Sequence, residues 1–213
     1  RPRYLDKTVL AVPALAVDAL DREARHLGRI ALRMLGGALA ATPGQGLVLS
    51  GDRQAGVALN QAIADFIGQL NRAGMSRESA RRLPELLRLA RYYEVVAELA
   101  AEAAEALAET EADLAALDEV RQAFRRRAEA LLTLDDTEAP AADDTARESA
   151  LRDMEIDYQL YKGALLEAGA GGSLPVAAMD AHLRAASALH RATTQASKAA
   201  RLLARPITKK VDT

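Results

Sequence analysis

Apolar residues recur in alternating steps of three and four along most of this chain, and that spacing constrains the fold more than any other feature. The longest such stripe lies within residues 76–109 and consists of Leu86, Leu89, Tyr93, Val96, Ala100, Ala103 and Leu107. Residues with this spacing lie on one face of an α-helix. No stretch of useful length alternates with a period of two. The pattern therefore predicts an all-α protein without a β-sheet.

Five further stripes of this kind are separated by breaks rich in glycine, proline or polar residues. Six long helices joined by short turns favour antiparallel packing, here as two three-helix bundles. The first bundle is predicted over 13–109 and the second over 110–206, between a lead-in segment at 1–12 and a C-terminal tail at 207–213. An acidic run at about 133–145 is predicted to be a mobile linker within the second bundle.

The charge balance and the residue types exclude several classes of function. The chain carries 28 Lys and Arg against 30 Asp and Glu, and only 3% of its residues are aromatic. Neither a basic footprint nor a stacking surface for nucleic acid is therefore expected. The absence of cysteine excludes a disulfide, a thiolate metal site and a cysteine nucleophile. No nucleophile elbow or phosphate-binding loop is present, so we expect no enzymatic activity.

The opening of the chain carries its most specific motifs. These are Arg3-Tyr4-Leu5-Asp6, Pro13-Ala14-Leu15-Ala16 and Arg22-Glu23-Ala24-Arg25-His26-Leu27-Gly28. They resemble the start of the PhoU-like cytoplasmic domain that follows the membrane region of bacterial sodium/phosphate cotransporters. The resemblance continues through Ala62-Ile63, Ser79-Ala80-Arg81-Arg82-Leu83 and Tyr93-Glu94.

This resemblance implies a pair of three-helix bundles related by an internal repeat. It also implies an accessory, regulatory domain that modulates phosphate uptake from the cytoplasmic side. Its partner would be its own transporter membrane domain or the phosphate-transport machinery, with a homodimer as a further option. The chain begins with Arg1 and not with Met, and we expect it to belong to a longer protein at the inner face of the plasma membrane. The alternative is a free-standing PhoU-like regulator of phosphate signalling that acts by protein–protein interaction.

The resemblance also implies metal clusters, held by acids four residues apart on two helices of each repeat. In the first repeat Glu94 and Glu98 match one such pair, but the corresponding positions of the second helix, 53–57, carry no acid. In the second repeat Asp153 and Asp157 match, and their partner pair on the sixth helix is missing. Half a ligand set suits no multinuclear cluster unless halves combine across a dimer. No cofactor is therefore required, and a divalent or iron-type metal stays an open option.

Each pair also has a plainer interpretation. Glu94 and Glu98 fit a solvated acidic stripe, and Asp153 and Asp157 fit ion pairs with the basic sixth helix. The run Arg125-Arg126-Arg127 is a candidate for contact with an anion or a partner, against the alternative of a solvated face.

The three histidines suggest no metal centre. Glu23-x-x-His26 has the spacing of a di-iron ligand pair, but no second motif of this kind exists to complete such a site. His182 and His190 are eight residues apart and not on one row, and they are expected to be ordinary surface or flank residues.

Overall fold

The computed structural model describes residues 1–44, 49–73, 77–110, 114–136 and 143–204. Over those residues it is helical and has no strand, which confirms the all-α prediction. The helices are α1 (Pro13–Ala40), α2 (Ser50–Ala73), α3 (Arg77–Ala108), α4 (Asp118–Leu134), α5 (Asp144–Ala170) and α6 (Val176–Ala204). Short 3₁₀ turns at Lys7–Ala11 and Ala115–Leu117 precede α1 and α4.

The predicted apolar stripes form the core. All residues of the α3 stripe are buried, from Leu86 to Leu107, and Tyr93 at its centre is fully excluded from solvent. The corresponding stripes are buried in the same way, namely Leu20, Ala24, Leu27, Ala31, Met34 and Ala38 in α1, and Leu59, Ile63, Phe66 and Leu70 in α2. Pro84 lies inside α3, so this helix begins ahead of the proline, at Arg77. Burial of these faces supplies the main driving force for the fold.

Helix α3 is central to the packing, because it makes its most extensive contacts with α6 and α1. Helices α1, α2 and α3 contact one another, as do α4, α5 and α6. One apolar core runs through all six helices. Most buried residues of α6 are alanines, and such small side chains permit close approach between helix axes. The domain boundaries stay predictions, and the tail at 207–213 lies outside the described residues.

The ends of the predicted acidic linker belong to helices. Helix α4 continues to Leu134, and α5 begins at Asp144 after an N-cap at Asp143, whose carboxylate accepts a hydrogen bond from the N–H of Thr145. Asp135, which composition alone places in the linker, is only 2% exposed. Residues 137–142, on which mobility would depend, lie outside the described part of the chain.

The lead-in segment is more ordered than its sequence suggests. Asp6 caps the 3₁₀ turn, because its Oδ1 accepts a hydrogen bond from the N–H of Thr8 at 2.9 Å. Pro13 then opens α1, where its missing N–H costs no helical hydrogen bond. The 3₁₀ turn of this segment contacts both α1 and α2, so it is packed against these two helices.

Candidate functional site

The acidic residues Glu94 and Glu98 lie along the outer face of α3. Arg91 donates a hydrogen bond to Glu94 at 2.5 Å, and Glu98 is exposed. Further along the same row Arg53 of α2 pairs with Glu105 at 3.1 Å. Arg53 begins the stretch where the resemblance places the second ligand pair, so a cation stands there in place of an acid. Among the described residues no three metal-ligating side chains converge.

Asp153 and Asp157 share a single cation. Nε of Arg127 lies 3.1 Å from a carboxylate oxygen of Asp157, and its Nη1 lies 3.5 Å from one of Asp153. Arg127 belongs to α4, so the prediction that α6 supplies the partner is wrong. Basic residues of α6 pair instead with other acids of α5, as His190 does with Glu155.

The three consecutive arginines of α4 point to different surroundings. Arg125 is buried and donates a hydrogen bond to the carbonyl of Ala41 at 2.8 Å. Burial lowers the pKa of Arg125, and the nearby charge of Arg121 lowers it further. Arg127 is held by two aspartates, and Arg126 is exposed. The structure therefore does not bring these three guanidinium groups together at one site.

His182 lies in the interior, so its predicted surface position is wrong. The side chain is 1% exposed, and neither ring nitrogen has a hydrogen-bond partner. Burial lowers the pKa of His182 to about 4, and the charges of Arg121 and Arg125 contribute in the same direction. His190 is half-buried and stacks on Tyr158 with ring centroids 4.3 Å apart.

A buried polar cluster joins the end of α4 to α5 and α6. Asp135 accepts hydrogen bonds from Nε of Arg147 at 2.8 Å and from the Ser197 hydroxyl at 2.5 Å. Burial raises the pKa of the Tyr93 hydroxyl, and the negative charge of Asp135 raises it further. The hydroxyl of Tyr93 is buried without a hydrogen-bond partner. These groups have no access to a substrate, which indicates a structural role.

Glu23 is the centre of the best-connected polar site. Its side chain is fully buried. One carboxylate oxygen accepts hydrogen bonds from the backbone N–H groups of Arg3 and Tyr4, both at 2.8 Å. The other oxygen lies 2.8 Å from Nδ1 of His26, and the ring of Tyr4 meets His26 edge-on. Glu23 thus joins the lead-in segment to α1.

A cleft of about 470 Å³ opens beside this carboxylate, between the lead-in segment, α1 and α2. Its charged and titratable lining residues are Arg1, Arg3, His26, Arg29, Arg33 and Asp52. Arg33 donates two hydrogen bonds to Asp52, of which the shorter is 2.7 Å. The cleft is therefore predominantly positive.

Part of this site leaves a signal in the sequence. His26, Arg29 and Arg33 are spaced by three and four, so they share one face of a single helix. The contacts of Glu23 with Arg3 and Tyr4 join residues about 20 positions apart and follow only from the tertiary fold.

No family model matches this chain, and comparisons with curated proteins and with solved structures likewise return no match. In the described part of the chain, no helix is both long and apolar enough to cross a membrane.

Proposed function

We propose that this chain is a PhoU-like accessory domain of a sodium-dependent phosphate transporter and modulates phosphate uptake from the cytoplasmic side. The observation that supports this most is the direct contact between the two most specific motifs of the opening. Arg3 and Tyr4 of the first motif donate their N–H groups to Glu23 of the third. Two motifs that resemble the same family thus meet at one buried carboxylate. A resemblance in surface composition alone would not bring them together.

The same contact suggests how such a domain would be coupled to a membrane region ahead of it. A flexible connection would not transmit a change in the orientation of the membrane region. Two hydrogen bonds to a buried carboxylate, however, hold the lead-in segment on α1. Helix α1 packs in turn on α3, which packs on α6. A change in the membrane region would therefore bias the packing of the helices, and a ligand of the helices would bias the membrane region equally.

This proposed role requires neither catalysis nor a metal. Arg127 supplies a positive charge to Asp153 and Asp157, and Arg91 supplies one to Glu94. The acidic rows thereby contribute to helix packing and to the charge of the surface.

The first experiment is a fractionation of the native cells with an antibody raised against this chain. We expect a band much larger than the 22.7 kDa of the chain, in the membrane fraction and resistant to salt washing. Phosphate uptake would then be measured with the domain deleted and with Glu23→Ala. Glu102→Ala, at an exposed position of α3, is the matched control. We expect deletion and Glu23→Ala to change uptake and the control to leave it unchanged.

A band near 22.7 kDa outside the membrane fraction would contradict the transporter assignment. It would favour the second candidate, a free-standing regulator of phosphate signalling. Affinity capture with the same antibody would then identify which protein the regulator contacts.

A further inference from the structure

We infer that the cleft between the lead-in segment, α1 and the start of α2 binds a small oxyanion with at least two anionic groups, such as a pyrophosphate or a nucleotide. This inference stands on the geometry of the cleft and does not depend on the proposed function. Among the described residues the cleft combines a volume of about 470 Å³ with four lining arginines.

The charge of the cleft favours an anion. Arg1, Arg3, Arg29 and Arg33 line it against a single lining acid, Asp52. Two other acids lie near the lining. Asp136 borders Arg29 in an adjoining cavity. Glu23 is fully buried and accepts hydrogen bonds from two backbone N–H groups and from His26. Its charge is therefore partly compensated by fixed donors. The lining keeps a positive excess that an anion would neutralise.

The arginines are placed by the fold and do not merely share a flexible surface. Arg29 and Arg33 are four residues apart on α1, so their side chains leave the same face of the helix. Arg3 lines the cleft from the lead-in segment, and its backbone is held in place because its N–H donates a hydrogen bond of 2.8 Å to Glu23. Donors from two separate elements thus face one space, which is the arrangement that a bound anion requires.

Arginine suits an oxyanion for a geometric reason. Its planar guanidinium presents paired N–H donors that match two oxygens of a phosphate or a carboxylate. A volume of about 470 Å³ lies within the range of small-molecule sites. A single inorganic phosphate would occupy only part of that space, which favours a larger anion.

Asp52 acts as an internal competitor for the ligand. It accepts both hydrogen bonds that the Arg33 guanidinium donates, at 2.7 and 3.3 Å. A ligand that binds the same edge of the Arg33 guanidinium must therefore replace this carboxylate. Removal of the Asp52 charge should strengthen binding, which is a change that a purely structural role of Asp52 would not produce.

The test is a calorimetric titration of the 213-residue chain with inorganic phosphate, with pyrophosphate and with ATP at low ionic strength. We expect pyrophosphate and ATP to saturate one site and inorganic phosphate to bind at least about tenfold more weakly. The double variant Arg3→Gln/Arg29→Gln should weaken pyrophosphate binding at least about tenfold, since charge-assisted hydrogen bonds are lost. Asp52→Asn should tighten it by roughly two- to fivefold.

The matched control is Arg152→Gln/Arg191→Gln, which removes the same charge from two exposed positions on α5 and α6, away from the cleft. We expect its effect to stay below about twofold. Circular dichroism would show that each variant is folded. Amide shifts in the unaltered chain provide a second measurement, and they should move at residues 26–33 and 52–55 on addition of pyrophosphate.

Three outcomes would overturn the inference. They are the absence of saturable binding with every probe, an equal loss in both double variants, and amide shifts confined to the arginine run of α4. The second would show attraction by net charge alone. The third would move the anion to a different surface.

Discussion

Nε of Arg147 donates a hydrogen bond of 2.8 Å to Asp135, and both side chains are almost completely removed from water. The pair joins the residue that follows α4 to the first turns of α5. Ser197 of α6 donates to the second oxygen of the same carboxylate. A buried charge is expensive without a partner, so each member of this cluster depends on the others.

We predict that Asp135→Asn lowers the free energy of unfolding by about 3–5 kcal/mol, because it removes the buried counter-charge of the Arg147 guanidinium. Urea denaturation followed by circular dichroism measures the change. Asp144→Asn is the matched control, since Asp144 also accepts from Arg147 but is 69% exposed. Its cost should stay within about 1 kcal/mol. Equal costs for the two variants would contradict a special role for the buried pair.

We predict that His182 makes the protein less stable as the pH falls from 6.5 towards 4. The pKa of this side chain is about 4 in the folded state, against 6.5 for an exposed histidine. The native state therefore resists protonation, and the unfolded state takes up the proton first. The loss reaches about 3 kcal/mol at pH 4 and is absent above pH 6.5. Urea denaturation at intervals over this range measures it.

The control for this prediction is a pair of histidine variants. His182→Leu should flatten the pH dependence of stability between pH 6.5 and 4, because the titrating group is gone. His190→Gln, at a half-buried position, should leave the contribution of His182 in place. A slope that survives His182→Leu unchanged would assign the pH dependence to other groups.

Helical periodicity was sufficient to predict the core. The stripe from Leu86 to Leu107 is buried throughout because its spacing matches the turn of an α-helix. Pro13 and the paired glycines after α5 also mark helix ends, as Gly172 adopts a φ of 75° that favours glycine. These features depend on residues close in sequence, so local rules capture them.

The polar sites depend on tertiary contacts, which the spacing of residues along the sequence does not predict. Asp135 lies in a stretch whose composition is typical of a linker, yet Arg147 and Ser197 draw it into the interior. The partner of Asp157 is Arg127 of α4, because α4 packs against α5 and places this cation beside it. His182 was expected at the surface because no other histidine shares its row on α6, yet its side chain is 1% exposed. Its burial follows from the way α6 packs on the other helices.

We predict that Glu23→Ala destabilises the protein by about 2–4 kcal/mol and releases the lead-in segment, since two backbone N–H groups lose their acceptor. Glu23→Gln should cost less, because its amide oxygen can still accept from Arg3 and Tyr4. Hydrogen exchange of the Arg3 and Tyr4 amides measures the release of the lead-in segment directly. Protection of both amides that persists in Glu23→Ala would show that other contacts hold the segment.

We predict opposite effects for alanine at two glycines of α5. A Cβ at Gly163 would meet nothing within 4 Å, so Gly163→Ala should raise stability by about 0.5–1 kcal/mol through helix propensity. A Cβ at Gly169 would collide with Sδ of Met179, so that side chain must move. Gly169→Ala should therefore lose the gain and cost about 1 kcal/mol relative to Gly163→Ala. Thermal unfolding of both variants measures the difference, and equal gains would show that Met179 yields freely.

We predict that Asp153 holds no metal, because the guanidinium of Arg127 already lies between Asp153 and Asp157. A cation beside two carboxylates repels a second one, and two carboxylates are too few ligands for a hard metal ion. The chain would be incubated with Mn²⁺ or Fe²⁺, freed of unbound metal and analysed by mass spectrometry. Asp153→Asn should leave the metal content unchanged, as should Asp180→Asn, the control at an exposed acid of α6. About one metal equivalent per chain that disappears with Asp153→Asn, and persists in the control, would instead show that the half-site is completed by ligands from elsewhere.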